Sequence, residues 1–262
     1  MTSLEQLLTV GPVAFKRTVN RIVNKVHPNP PEVINPKIRT EVQELHNAGL
    51  DAFKQGNYGT ALGYYNHAIR LGGDKLAVWS LHDKARIMLL IGDTKNVTAA
   101  GTILEKAERI LPKNAQIQAS LGVAYGRFGY YKGALARYEA ALKLDPNNYE
   151  AQIITPLDSP AEERAHKLHD KGLELMTAGK PYESLRYYEA AVAVAGDEEK
   201  AGWSIHDKGM ALLSLGLYPE ALHPLALAKA LIKDSPIPLK DLKDAQNRYL
   251  NYQLQQLRSG KK

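Results

Sequence analysis

Cysteine is absent from this chain of 262 residues, and phenylalanine, tryptophan and methionine number only three, two and four. Without cysteine there is no disulfide, no thiol nucleophile and no thiolate-bound metal, which fits a reducing compartment. No apolar run approaches the roughly 18 residues that a membrane span requires. The N-terminus lacks the apolar core and small-residue cleavage site of a secretory signal. An intracellular, soluble protein is therefore expected, cytoplasmic before any organelle. In that setting Asn96-Val97-Thr98 reads as the start of a helix and not as a glycosylation acceptor.

Catalytic signatures are missing as well. There is no phosphate-cradling glycine loop with its Lys-Ser/Thr, no His-Glu-x-x-His and no Gly-x-Ser-x-Gly. Adjacent His-Asp pairs occur, but neighbours i and i+1 on a helix point in different directions, which argues against a catalytic dyad. A non-enzymatic protein with no cofactor and no metal is expected.

Net charge is +6, and its placement matters more than its size. Residues 1–40 carry six Lys/Arg against Glu5 and Glu32, and residues 237–262 carry six against Asp241 and Asp244. Each end is thus +4, leaving the body between them at −2. A nucleic-acid groove would spread positive charge along its length. Any nucleic-acid contact is therefore expected only through the basic ends.

What the chain has is period. Gly122, Gly129, Ala134, Tyr138, Ala141 and Pro146 place small residues where two short antiparallel helices must touch, with an aromatic filling the gap between them. Similar sets follow Gly49, Gly56, Ala61, Tyr65 and Ala68; Ala85, Ala100, Leu104, Ala107 and Pro112; Gly172, Gly179, Ser184, Tyr188 and Ala191; and Gly209, Gly216, Ala221, Leu225 and Ala228. One such hairpin cannot bury its apolar face alone, so copies must stack. The set from Leu121 to Pro146 resembles the tetratricopeptide family, and the other four are similar to it in degenerate form. The resemblance implies an all-α, right-handed superhelical solenoid of about five hairpins with a helix at each end. In the second unit, Asp93 to Thr98 is expected to form a lengthened loop.

A larger repeat overlies the small one. Leu45-His46 to Gly73-Asp74 matches Leu168-His169 to Gly196-Asp197, and Trp79-Ser80-Leu81-His82-Asp83-Lys84 matches Trp203-Ser204-Ile205-His206-Asp207-Lys208. Repeats one and two are read as a duplicate of four and five. The expected organisation is a basic amphipathic helix and proline-rich linker (1–40), repeats one to three (41–148), a proline-containing interruption (149–164), repeats four and five (165–236), and a capping helix with a basic tail (237–262). Ser159 is expected to cap the helix after the interruption, with Pro160 as its first residue. The interruption fits either a hinge or a packed insertion. For the N-terminal helix a cap over the first repeat, a partner-docking arm and a membrane-surface or targeting segment at residues 12–26 all stay open.

The resemblance also implies where a partner would sit, because first helices line the concave groove of such arrays. Mapping by position places His46, Asn47, Trp79, His82, Asp83, Arg86, His166, His169, Asp170, Trp203, His206, Asp207 and Met210 there. Either the His-Asp pairs are inert products of duplication, each His bonding a neighbouring helix, or they contact a partner directly. Some family members grip an acidic C-terminal chaperone peptide with Lys, Asn and Arg. The matching positions here hold His46, Leu50, Asp83, Gln116 and Ser120, so that ligand is not expected. The implied function is a scaffold, adaptor or assembly factor that presents the groove to a neutral or basic protein segment. The alternative is a constitutive subunit of a large assembly, ribonucleoprotein included, or a peripheral membrane assembly factor, attached through the basic ends. Self-association through an uncovered end is also open. Tyr65, Tyr138 and Tyr188 are assigned to the core, while Lys84, Lys171 and Lys208 are expected to bury their stems and release the ammonium to solvent.

Overall fold

A computed structural model describes residues 35–155, 159–196 and 201–259. Eleven α-helices follow one another among them: α1 (Pro36–Lys54), α2 (Tyr58–Leu76), α3 (Val78–Ile91), α4 (Thr94–Ile110), α5 (Ala115–Arg127), α6 (Tyr131–Leu144), α7 (Ala161–Thr177), α8 (Pro181–Ala195), α9 (Gly202–Ser214), α10 (Tyr218–Leu231) and α11 (Ile237–Arg258). A short 3₁₀ turn, Ala151–Ile154, lies between α6 and α7. The fold is an all-α repeat solenoid. The N-terminal segment and the end of the basic tail lie outside the described residues, so the cap, arm and membrane readings of residues 12–26 do too.

The expected residues make the hairpins close. An ideal Cβ on Gly122 of α5 would stand 2.7 Å from the Tyr138 ring of α6, and one on Gly209 of α9 would stand 2.6 Å from Leu225 of α10. Gly49 meets Tyr65, and Gly172 meets Tyr188, with the same overlap. Only glycine lets the second helix seat its large side chain against the first. Tyr65, Tyr138 and Tyr188 are accordingly buried at 0%, 2% and 0% exposure. The turns inside these four hairpins contain Gly56, Gly129, Gly179 and Gly216, with φ between 72° and 77°.

The chain divides into two compact units, Met1–Ser80 and Leu81–Lys262. In the first, α1 packs on α2 around Val42, Ala68 and Ala77, with Ile38, Leu45 and Ile69 at the edge. Gly73 (φ 63°) kinks α2 before its end at Leu76.

In the second unit, α4 packs on α5, α8 on α9 and α10 on α11, each a second helix meeting the next first helix. The join between repeats three and four differs, for there α8 packs on α6, α5 and the 3₁₀ turn. Ala151 and Ile154 of that turn are fully buried with Tyr138, Leu168 and Val194. The interruption is therefore a packed insertion over its described part.

Residues beyond the interruption bond to residues before it. The Lys208 ammonium on α9 donates to the carbonyls of Gly126 (2.9 Å) and Arg127 (3.4 Å), at the end of α5. It also stands 3.2 Å from Glu189 on α8, which lies 3.5 Å from the Arg127 guanidinium. All three side chains are at most 6% exposed. Further along the same edge, Glu220 of α10 accepts from the Thr94 backbone N–H (2.9 Å) and hydroxyl (3.0 Å). A cation over carbonyls at a helix C-terminus is favourable, since it meets the negative end of the dipole.

Four local expectations need correcting. Residues 94–98 are helical, because Asp93 accepts from the Asn96 N–H at 2.8 Å and caps α4. The extra residues thus lengthen a helix and not a loop. Pro160, extended at ψ 138°, takes the cap position of α7, and the helix starts at Ala161. The three lysines part company: Lys171 is exposed beside Glu174, the Lys84 amine is half-buried, and the Lys208 amine is buried on carbonyls. The adjacent His and Asp side chains do not diverge, as the next paragraphs describe.

Candidate functional site

Histidine at one register position of the first helices ties each helix to the next. In the first unit the His46 ring lies 3.2 Å from the hydroxyl of Ser80 through Nδ1. In the second unit His82 Nε2 meets the Ser120 hydroxyl of α5 at 3.0 Å. His169 Nδ1 of α7 meets the Ser204 hydroxyl of α9 at 3.0 Å, and His206 Nε2 of α9 meets the Asp241 carboxylate of α11 at 2.9 Å. The duplicated Trp-Ser-x-His-Asp-Lys segment thereby gains a physical account. Its serine faces the histidine of the helix before, and its histidine reaches the helix after.

The following aspartate holds the ring. His82 Nδ1 donates to Asp83 at 3.0 Å, and His206 Nδ1 donates to Asp207 at 2.8 Å. In both copies the adjacent pair bonds. Asp83 also accepts from Arg86 at 3.3 Å, and Ser120 donates to Glu150 at 3.1 Å. Asp207 places its second oxygen 3.5 Å from His169 Nε2. Burial alone would lower the His206 pKa, but the hydrogen bonds and charges of Asp207 and then Asp241 outweigh it and raise it above the ordinary 6.5. Burial, helped by the Asp207 charge, pushes the Tyr188 phenol up.

This sorts the thirteen candidates by what they present. His82, Asp83 and His206 are buried, at 2%, 8% and 5% exposure. His46, Arg86, His169, Asp207 and Met210 are half-buried. Asn47, Trp79, His166, Asp170 and Trp203 are exposed. Trp203 keeps 44% of its surface open while its edge rests on the His206 ring, 5.5 Å between centroids. Gln116, at the matching position of repeat three, is half-buried.

Four participants escaped sequence reasoning: Glu150, Asp241, and Ser80 and Ser204 as receivers of a histidine. The serines carried a signal, since both copies of the hexapeptide contain one. Glu150 and Asp241 lie outside the repeat consensus, in the interruption and the last helix. No group of three or more His, Cys, Asp or Glu among the described residues is arranged to hold a metal. No helix among them is long and apolar enough to cross a membrane.

Residues 115–148, which comprise α5, α6 and their flanks, match the family model described as tetratricopeptide repeat. Residues 115–148 are a tetratricopeptide repeat. Solved tetratricopeptide structures to which the chain is similar include a thermophilic protein of Thermus thermophilus, at 18% identity over 78% of this chain and 98% of the other, with a TM-score of 0.38. The protein YrrB, described as having an unusual peptide-binding site, is 18% identical over 88% of this chain and 98% of its own, with a TM-score of 0.37. The TPR2AB domain of yeast Sti1, solved as a complex with pHSP90, is 18% identical over 81% and 86%, with a TM-score of 0.36. No curated protein matches the sequence.

Proposed function

We propose that this tetratricopeptide-repeat protein is a non-enzymatic adaptor that receives a neutral or basic protein segment on the first helices of repeats four and five. Repeats of this family form protein–protein interaction modules in general; the finer reading rests on one contrast within α7 and α9. Half-buried His169 and buried His206, with their hydroxyl and carboxylate partners, fix the spacing of these helices. Trp203, His166 and Asp170 stay exposed on the same helices. A rigid platform with an open tryptophan and carboxylates suits a preformed, low-entropy-cost binding surface.

Charge chooses the partner class. Asp170 and Asp207 lie on this face, Asp207 half-buried, and a terminal carboxylate would meet repulsion there. A segment carrying Lys or Arg beside an apolar anchor matches it. The test is affinity capture from native extract with the full chain, with Trp203→Ala and with Asp170→Lys, after circular dichroism has confirmed unchanged helix content. Loss of one partner from both variants supports the reading. Capture unchanged by either variant refutes it and moves attention to the basic ends.

A further inference from the structure

Four cross-helix histidine contacts are built alike except for the last. Ser80 and Ser204 offer hydroxyls, which donate or accept and so satisfy an imidazole in either charge state, and Ser120 can turn its one proton to the His82 ring or to Glu150. The last contact replaces the hydroxyl by a carboxylate, and a carboxylate only accepts. His206 then has Asp207 at 2.8 Å from Nδ1 and Asp241 at 2.9 Å from Nε2. Both ring nitrogens must donate for both contacts to hold, which only the imidazolium does. A neutral ring turns a lone pair toward one of the two carboxylates. We propose that His206 is a proton-dependent latch that holds the C-terminal helix α11 on the last repeat, tight when the ring is charged and loosened when it is neutral. The proposal is independent of what the first-helix face binds.

Each neighbouring element contributes a group to this cluster. From α7 comes His169, on the far oxygen of Asp207; from α8 comes the buried Tyr188 phenol, near the Asp207 charge; from α11 comes Asp241. On α9 itself stand Asp207 and the Trp203 ring, while α10 meets α9 through Leu225. The raised pKa of His206 agrees with this cluster.

The sign follows from the direction of that shift. Docked, His206 has its pKa raised by Asp207 and then Asp241; undocked, it keeps Asp207 and loses the Asp241 part, so its pKa falls. The latch therefore contributes in full below the undocked pKa and is lost as pH rises through the docked one. Docking changes about tenfold for each unit by which it raises the pKa.

What undocking would uncover is apolar. Ala245 is fully buried, and Leu242 packs beside it against a cluster containing Leu217, Tyr218 and Leu222.

The experiment is amide hydrogen exchange of the full chain between about pH 5.5 and about pH 8.5, corrected for intrinsic exchange. Protection over Leu242–Gln256 is read against α8 as internal reference, and His206 ring protons are titrated in parallel by NMR. The expected result is a loss of relative protection as pH rises, with a midpoint matching that of the ring. Asp241→Ser restores the hydroxyl of the other contacts and should flatten the curve with α11 still docked; Asp241→Asn, which also donates and accepts, should do the same. Flat protection in the wild type, a midpoint apart from that of the ring, or a fall that persists in both variants overturns the proposal.

Discussion

Replacing Glu189 by glutamine should do far more damage than removing the lysine that touches it. The carboxylate stands 3.2 Å from the Lys208 amine and 3.5 Å from the Arg127 guanidinium, all with side chains nearly out of solvent. At an effective dielectric constant of about 20, those separations correspond to gross attractions of about 5 kcal/mol each. In Glu189→Gln both vanish and two cations remain buried side by side. Breaking buried pairs by removing one partner in general costs about 3–5 kcal/mol. Lys208→Met, in contrast, leaves a neutral Arg127–Glu189 pair and removes the donor to two carbonyls, for about 1–3 kcal/mol. The double variant should lose less than the sum by more than about 1 kcal/mol, since the two groups touch. Equilibrium urea unfolding followed by circular dichroism and by tryptophan fluorescence measures all three, with agreement of the two probes checking that the transition is two-state. A loss in Glu189→Gln no greater than that in Lys208→Met would refute the charge argument.

Other consequences are local. Gly122→Ala drives a methyl into the Tyr138 ring and should cost about 1–3 kcal/mol by overpacking, read as a Tm lower by roughly 3–10 °C in differential scanning calorimetry. Asp93→Ala removes the acceptor for the Asn96 N–H and should cost about 1 kcal/mol, whereas Asp93→Ser should retain most of it; urea midpoints decide. Glu220→Gln, at an exposed contact with Thr94, should change stability by less than about 1 kcal/mol, and a larger loss in the same assay would mean that this edge contact is worth more than its exposure implies.

Much of the architecture was legible because its cause is local in sequence. Gly49, Gly122, Gly172 and Gly209 announce a close helix pair, and the large residue sixteen positions later announces what fills it. The hexapeptide was legible as a duplication, but its purpose was not. Ser80 and Ser204 read as ordinary small polar residues until the preceding histidine is seen opposite them. Lys208 was misread because its partner Gly126 lies some eighty positions away in sequence, where no local pattern points. Asp93 was misread for a smaller reason. Extra residues in a turn look like loop unless the capping side chain is recognised as the start of a longer helix.

The contacts of repeat five with repeats two and three alter how this array should come apart. A linear array with only neighbouring contacts frays from its ends and loses units one at a time, because each interface is independent of the others. Here the Lys208 and Glu220 bonds to residues 126, 127 and 94 span some eighty to one hundred and thirty positions of sequence. Closing such a span costs chain entropy before it returns any contact energy, so the second unit should assemble slowly and melt as one block. Deleting the last hairpin would then unsettle the middle of the array and not only its end.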